Sequence, residues 1–200
     1  MNTLFSKEKI TFNIPDAEIE YYPNFFESNR ANELFEKLKT KIPWQQDNIT
    51  VFGKTHPQPR LTALFGNEGK PYSYSNIVMQ PNFWNTLLLF IKNEIEEICQ
   101  ENFTTVLLNF YRDGKDSNGW HADNEKELGR NPVIASVSFG AERSFHLQHN
   151  TLKEQKLKIT LEHGNLLIMK GSTQHFWKHQ IPKTAKDIGP RINLTFRIIK

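Results

Sequence analysis

Residues 191–197 read Arg-Ile-Asn-Leu-Thr-Phe-Arg, an unbroken alternation of polar and apolar side chains. A period of two is the mark of a strand with two unlike faces. Ile192, Leu194, Phe196 and Ile198 make a core face, and Arg191, Asn193, Thr195 and Arg197 share the other. Two arginines on one strand face mean either solvent or a pocket for an anion, because guanidinium is a permanently charged fork that fits carboxylates. Working back along the chain, the same texture recurs in TVLLNFYR (105–112), VIASVSFG (133–140), SFHLQH (144–149), LKITLE (157–162), NLLIMK (165–170) and HFWKHQI (175–181). Short strands separated by turns, with no helix between them, predict a sandwich or barrel.

The N-terminal half differs. Ser28 is placed to cap a helix over about 29–40, with Leu34, Phe35 and Leu38 as its apolar stripe. Pro81 suits the first turn of a second helix ending near Cys99, with Phe83, Trp84, Leu87, Leu88, Ile91 and Ile95 facing inward. The expected class is mainly β (α+β): a jelly-roll sandwich buttressed by N-terminal helices. One domain is expected over 1–200, with an N-terminal part (1–103) set against the β core (104–200).

Composition narrows the function. The chain has 200 residues, 38% hydrophobic, with 15 Phe, 5 Tyr and 4 Trp, enough for a core and unlike a disordered chain. A single cysteine, Cys99, excludes an intrachain disulfide and a zinc site built on paired cysteines. No apolar run approaches a membrane span, and the first residues lack a signal-peptide pattern, so a soluble intracellular protein without a membrane partner is expected. The net charge of +3 is concentrated in the C-terminal half, which suits a polyanionic partner and equally suits ordinary surface lysines.

Candidate chemistry centres on three residues. In Trp120-His121-Ala122-Asp123, an extended backbone points His121 and Asp123 the same way, towards a common ion. His179, on a later strand, is the natural third ligand. Two histidines and one carboxylate on one side of a metal leave the other positions open, which suits non-haem Fe(II) that must also take oxygen and a co-substrate. His175 and His179 stand four apart, but no glutamate lies between them and the segment reads as strand, which disfavours a zinc-protease helix. His146 and His149 fall on opposite faces of one strand, and His56 and His163 look like turn or surface residues. The strand at 106–112 shows the same two-faced design as 191–197, with Asn109 and Tyr111 on one side and Val106, Leu108 and Phe110 on the other.

The blocks N-F-Y-R-D-G (109–114), W-H-A-D-N-E (120–125), A-S-V-S-F-G-A (135–141), G-N-L-L-I-M (164–169), W-K-H-Q-I-P (177–182) and P-R-I-N-L-T-F-R (190–197) resemble the AlkB family. The resemblance implies a double-stranded β-helix and Fe(II)- and 2-oxoglutarate-dependent dioxygenase activity that removes alkyl groups from nucleic-acid bases, releasing formaldehyde, succinate and CO2. It implies that His121, Asp123 and His179 hold Fe(II). Arg191, with Tyr111 and Asn193, would grip the distal carboxylate of 2-oxoglutarate. Arg197, with Asn109, would steady the carboxylate beside the keto group, and Thr195 would line the same slot. O2 is the second co-substrate, with ascorbate as reductant in vitro.

The likeness extends to Val51-Phe52-Gly53-Lys54, Pro59-Arg60 and Tyr72-Ser73-Tyr74-Ser75, which are similar to the nucleotide-recognition lid of the branch acting on double-stranded DNA. It implies substrate contacts from Phe52, Gly53, Lys54, Arg60, Tyr72, Ser73, Tyr74, Asn124 and Glu125. Phe52, beside Gly53, is placed to wedge into a base stack and fill the gap left by an extruded nucleotide. Ala122 and Asn124 depart from many relatives, which bears on lesion choice. The expected partner is alkylated DNA of the N1-methyladenine or N3-methylcytosine type, with RNA, a small molecule or a protein side chain as alternative substrates. A monomer without an obligate protein partner is expected, cytoplasmic in a bacterium and nuclear in a eukaryote.

Overall fold

The computed structural model describes residues 8–51, 53–67, 72–74 and 77–200, so Phe52 and Ser75 lie outside the described residues. The chain opens with β1 (Ile10–Phe12) and β2 (Glu18–Tyr22), then α1 (Ser28–Lys41). Next come β3 (Asn48–Val51) and β4 (Lys54–Pro57), β5 (Leu61–Gly66), β6 (Tyr72–Tyr74) and β7 (Ile77–Met79), and α2 (Thr86–Cys99). The remainder is β8 (Thr105–Tyr111), β9 (Asn118–His121), β10 (Ile134–Gly140), β11 (Arg143–His149), β12 (Lys156–Leu161), β13 (Asn165–Lys170), one helical turn α3 (Thr173–Phe176), β14 (Trp177–Ile181) and β15 (Arg191–Arg197).

Two antiparallel sheets face each other. The larger runs β1-β2-β13-β10-β15-β8-β5 and the smaller β12-β11-β14-β9, the crossing pattern of a jelly roll. Period-two alternation sorts each strand's side chains between two cores. Val106, Leu108, Ala135, Val137, Ile192, Leu194 and Phe196 pack outward against Ala31, Leu34 and Leu38 of α1 and Leu88, Ile91 and Ile95 of α2. Leu107, Ile134, Phe145, Leu147, Ile159, Leu161, Leu167, Met169 and Trp177 fill the space between the sheets. The helices therefore buttress the back of the large sheet, as expected, and leave the interior to the polar strand faces. Among the described residues no helix is long and apolar enough to cross a membrane.

Both helices begin elsewhere than the sequence pattern predicts. Ser28 is the first residue of α1 and not its cap, because the Phe26 N–H is tied to the Gly164 carbonyl at 2.8 Å and the chain turns into the helix at once from Glu27. The second helix starts at Thr86 and not at Pro81. Asn82 is held beside β5, its N–H to the Leu64 carbonyl at 2.8 Å and its carbonyl receiving the Gly66 N–H at 3.1 Å. Asn85 then caps α2, its side chain accepting from the Leu88 N–H. Phe83, left on the extended approach, is 73% exposed and not part of the core.

Candidate active site

Register brings the predicted ligands together. β14 pairs with β9 so that His179 lies directly across from His121, and their rings meet edge to face at 4.3 Å. Asp123 follows two residues beyond His121, and one ligand atom from each of the three side chains lies within 4.8 Å of the others. Asp123 and His179 are buried and His121 partly so. His121 Nδ1 sits 2.8 Å from the Gly119 carbonyl oxygen, which can only accept, so the proton is on Nδ1 and the lone pair is on Nε2, where Asn118 Nδ2 approaches to 3.3 Å.

Electrostatics favours the binding-competent protonation states. Burial, aided by His121, pushes the His179 imidazole down to about 3, so it is neutral at any physiological pH. For Asp123, burial acts to raise the pKa, but the Arg197 guanidinium and the two imidazoles outweigh it and hold the carboxyl at about 2. Arg197 Nη2 donates to Asp123 Oδ1 at 2.8 Å, with both side chains buried. The Asp123 N–H is fixed by Gln174 Oε1 at 2.9 Å. Nothing in the GSTQ sequence marks Gln174 as special; only the crossover of α3 behind the site shows its job.

Beside the three ligands runs the polar face of β8, β10 and β15. The pocket is lined by Asn109, Tyr111, Ser136, Arg191, Asn193, Thr195 and Arg197 together with His121, Asp123 and His179, and walled by Leu107, Phe145, Leu161, Met169 and Ile181. Arg191 is 1% exposed. Its Nη2 donates to Ser138 Oγ at 2.8 Å, and its guanidinium carbon lies 5.1 Å from the centre of the Tyr111 ring. Its Nε and Nη1 have no hydrogen-bond partner among the described residues. Burial pulls this arginine down to about 10, still charged at neutral pH. A buried cation with donors left over is costly unless an anion completes it. That is the structural reason an organic acid fits there.

Other predicted residues are placed differently. Arg60, expected among the substrate contacts, is 4% exposed and turned inward, where its Nε donates to Asn109 Oδ1 at 2.7 Å and its Nη1 to the Ser117 carbonyl at 3.2 Å. Through the Nε contact it holds the Asn109 side chain. Asn193 lines the slot, but both amide hydrogens are committed, to Ser136 Oγ at 2.8 Å and the Val137 carbonyl at 3.0 Å, while Oδ1 accepts from Thr195. It braces β10 against β15.

Gly53 and Lys54 are exposed at the β3–β4 turn, where Gly53 has φ +75° and so favours glycine. Asn124 is exposed and Glu125 half-buried, directly after Asp123 in the chain. Tyr72, Ser73 and Tyr74 form β6, and their side chains lie outside the described residues. His163, read as a turn residue, accepts the Gly140 N–H at 2.8 Å.

A family model described as the 2OG-Fe(II) oxygenase superfamily matches residues 18–197. The DNA oxidative demethylase ALKBH2 of Homo sapiens is 35% identical over 188 residues, covering 89% of this chain and 72% of that protein. The chain belongs to the AlkB family of 2OG-Fe(II) oxygenases. The alpha-ketoglutarate-dependent dioxygenase alkB homolog 3 of Bos taurus is 45% identical over 186 residues, 88% of this chain. The chain spans less than two thirds (64%) of that relative's length. Among solved structures, OsALKBH1 superposes with a TM-score of 0.70 at 15% identity, over 96% of this chain and all of that one. This likeness bears on the fold alone, and it supports the jelly roll. The cofactors that give the 2OG-Fe(II) oxygenase superfamily its name, Fe(II) and 2-oxoglutarate, match the donor set: two imidazoles and a carboxylate for the metal, and a buried guanidinium for the acid.

Proposed function

We propose that this AlkB-family chain is an Fe(II)- and 2-oxoglutarate-dependent oxidative demethylase of alkylated bases in DNA. The observation that carries the reading is the meeting, in one pocket, of the His121-Asp123-His179 cluster and the buried, under-partnered Arg191. Bound there, Fe(II) with 2-oxoglutarate and O2 supplies the power to hydroxylate an N-methyl group, which leaves as formaldehyde while succinate and CO2 are formed.

The chain's own groups position everything else. Neutral His121 and His179 and ionised Asp123 present three donors on one side, leaving the opposite side open. Arg191 and Tyr111 take the distal carboxylate, while Arg197 and Asn109 stand at the metal end of the slot, Asn109 aimed by Arg60. With its Oδ1 committed to Arg60, Asn109 offers its Nδ2 hydrogens to the acid. Leu107, Phe145, Leu161 and Ile181 keep the pocket dry, which strengthens each of these charged contacts. A base alkylated on its pairing edge is already unpaired, so its extrusion into the site is cheaper. Asn124 and Glu125, next to Asp123 in sequence, and the hairpins carrying Gly53, Lys54, Tyr72, Ser73 and Tyr74, would receive it, with the Phe52 side chain filling the gap.

DNA is favoured because the name of the 35% identical relative is that of a DNA oxidative demethylase. The test is a panel of N1-methyladenine, N3-methylcytosine and etheno-base oligonucleotides, DNA and RNA, single- and double-stranded, with Fe(II), ascorbate and 2-oxoglutarate. Stoichiometric succinate and restored base on DNA is the expected result. Succinate formed only with RNA or with a non-nucleic substrate would overturn the DNA assignment. No succinate with any substrate would overturn the enzyme.

A further inference from the structure

The back of the small sheet has a character the catalytic pocket does not explain. Strands β12, β11, β14 and β9 contain no Asp or Glu at all. Their inward residues, such as His121, His179 and Phe145, face the pocket, so by alternation the outward set includes Lys156, Lys158, His146, Gln148, Lys178 and Trp120. A groove of about 270 Å³ opens among them, with Trp120 at one end and Lys156 and Lys158 at the other. Trp120 is 42% exposed, and Lys178 lies over its ring at 5.3 Å. Burial and the Lys158 charge both lower the His146 pKa, a sign of the positive field there.

We infer that this outer face is a second binding surface for single-stranded nucleic acid flanking the target nucleotide, with Trp120 as a stacking platform and the lysines as phosphate contacts. Three strand spacings from β9 to β12 span about 14 Å. That length takes several phosphates, and a positive groove with an aromatic end is how strands are bound without sequence preference. Trp120 immediately precedes His121, so a strand leaving the pocket over β9 meets this face one residue away. An acidic protein would be drawn by the lysines but has no use for an exposed indole.

The inference rests on the nucleic-acid reading of the pocket, and its test is separable because binding needs no turnover. Anisotropy of fluorescein-labelled oligothymidylate of about 20 nucleotides, and of about 4, would be measured for the full chain and for Lys156→Ala/Lys158→Ala. The expected result is about tenfold weaker binding of the long probe at low salt, with the short probe unchanged. The slope of log affinity against log salt should become shallower by about 1.4, or 0.7 for each phosphate no longer neutralised. Trp120→Leu should weaken the long probe at all salt concentrations, since stacking is not screened. Unchanged affinity and slope in the double variant would overturn the surface. So would poly-glutamate of matched charge competing as well as oligothymidylate. Turnover of a methylated trinucleotide by the double variant should equal that of the parent, and its absence in the parent would indict the pocket and not this face.

Discussion

Arg191 shows how a single side chain can be read twice. Its alternation with Ile192 places it on a polar face, but only the structure shows that face to be interior and the guanidinium to have one donor satisfied and two nitrogens waiting. A buried charge without its partner destabilises the empty protein. Arg191→Met is therefore expected to leave the melting temperature of the ligand-free chain equal or higher, while abolishing the rise that 2-oxoglutarate gives. In the parent, that rise corresponds to about 2.7 kcal/mol at a hundredfold excess over Kd. A thermal melt with and without the acid checks both halves, and a retained shift would refute the assignment. Arg60 is the converse case, because the resemblance sets it among the substrate contacts and the structure turns it inward to Asn109. Arg60→Leu should raise the KM for 2-oxoglutarate about tenfold, the worth of one charge-assisted hydrogen bond, with a smaller effect on kcat. Steady-state kinetics varying 2-oxoglutarate separates the two. Neither the Ser138 contact of Arg191 nor the Asn109 contact of Arg60 was legible beforehand, since periodicity assigns a face and says nothing of what stands opposite it.

At the scale of elements, the strands were legible and the joints were not. Each of β8, β10 and β15 is set by a period of two that local sequence carries alone. The start of α2 depends instead on Asn82 bridging to β5, a contact between residues 18 apart that no local pattern encodes. The loop between β8 and β9 depends likewise on Asp116. That carboxylate accepts from the Arg112 N–H, Nε and Nη2 at 2.8–2.9 Å, while Arg143 binds the Asp116 carbonyl. Burial of Asp116 works to raise its pKa, but the hydrogen bonds and charges of Arg112, with Arg143 behind, lower it overall. A carboxyl with a depressed folded pKa gives stability that is present above its ordinary value near 3.8 and lost as pH falls through the folded value. Asp116→Asn should thus lower stability at pH 7 by about 1 kcal/mol, a modest figure because Arg112 is 44% exposed. The difference should vanish at the acid end, below that window. Urea denaturation at neutral and acid pH would show it, and an equal loss at both would point to packing in place of charge.

The molecule as a whole separates stability from chemistry by layers. One core binds the helices to the back of the large sheet; the other lies between the sheets and includes the walls of the pocket. The alternation along β15 serves both at once, with Leu194 and Phe196 turned to the helices and Asn193, Thr195 and Arg197 to the site. A cavity opened in the first layer is therefore separated from the ligand residues by the thickness of a hydrogen-bonded sheet. Leu88, wholly buried on α2, is the place to open it. Leu88→Ala should cost about 2–5 kcal/mol in denaturant unfolding, as large-to-small core changes do. At temperatures where that variant remains folded, the dissociation constants for Fe(II) and 2-oxoglutarate should match the parent's. Truncation of Phe145, which packs on His179 at 5.1 Å in the second layer, should weaken both stability and metal affinity, because it frees a ligand ring to move. Metal titration of the two variants side by side decides the matter: if Leu88→Ala loosened iron binding as much as Phe145→Ala, the helices would be part of the site and the layers would not be independent.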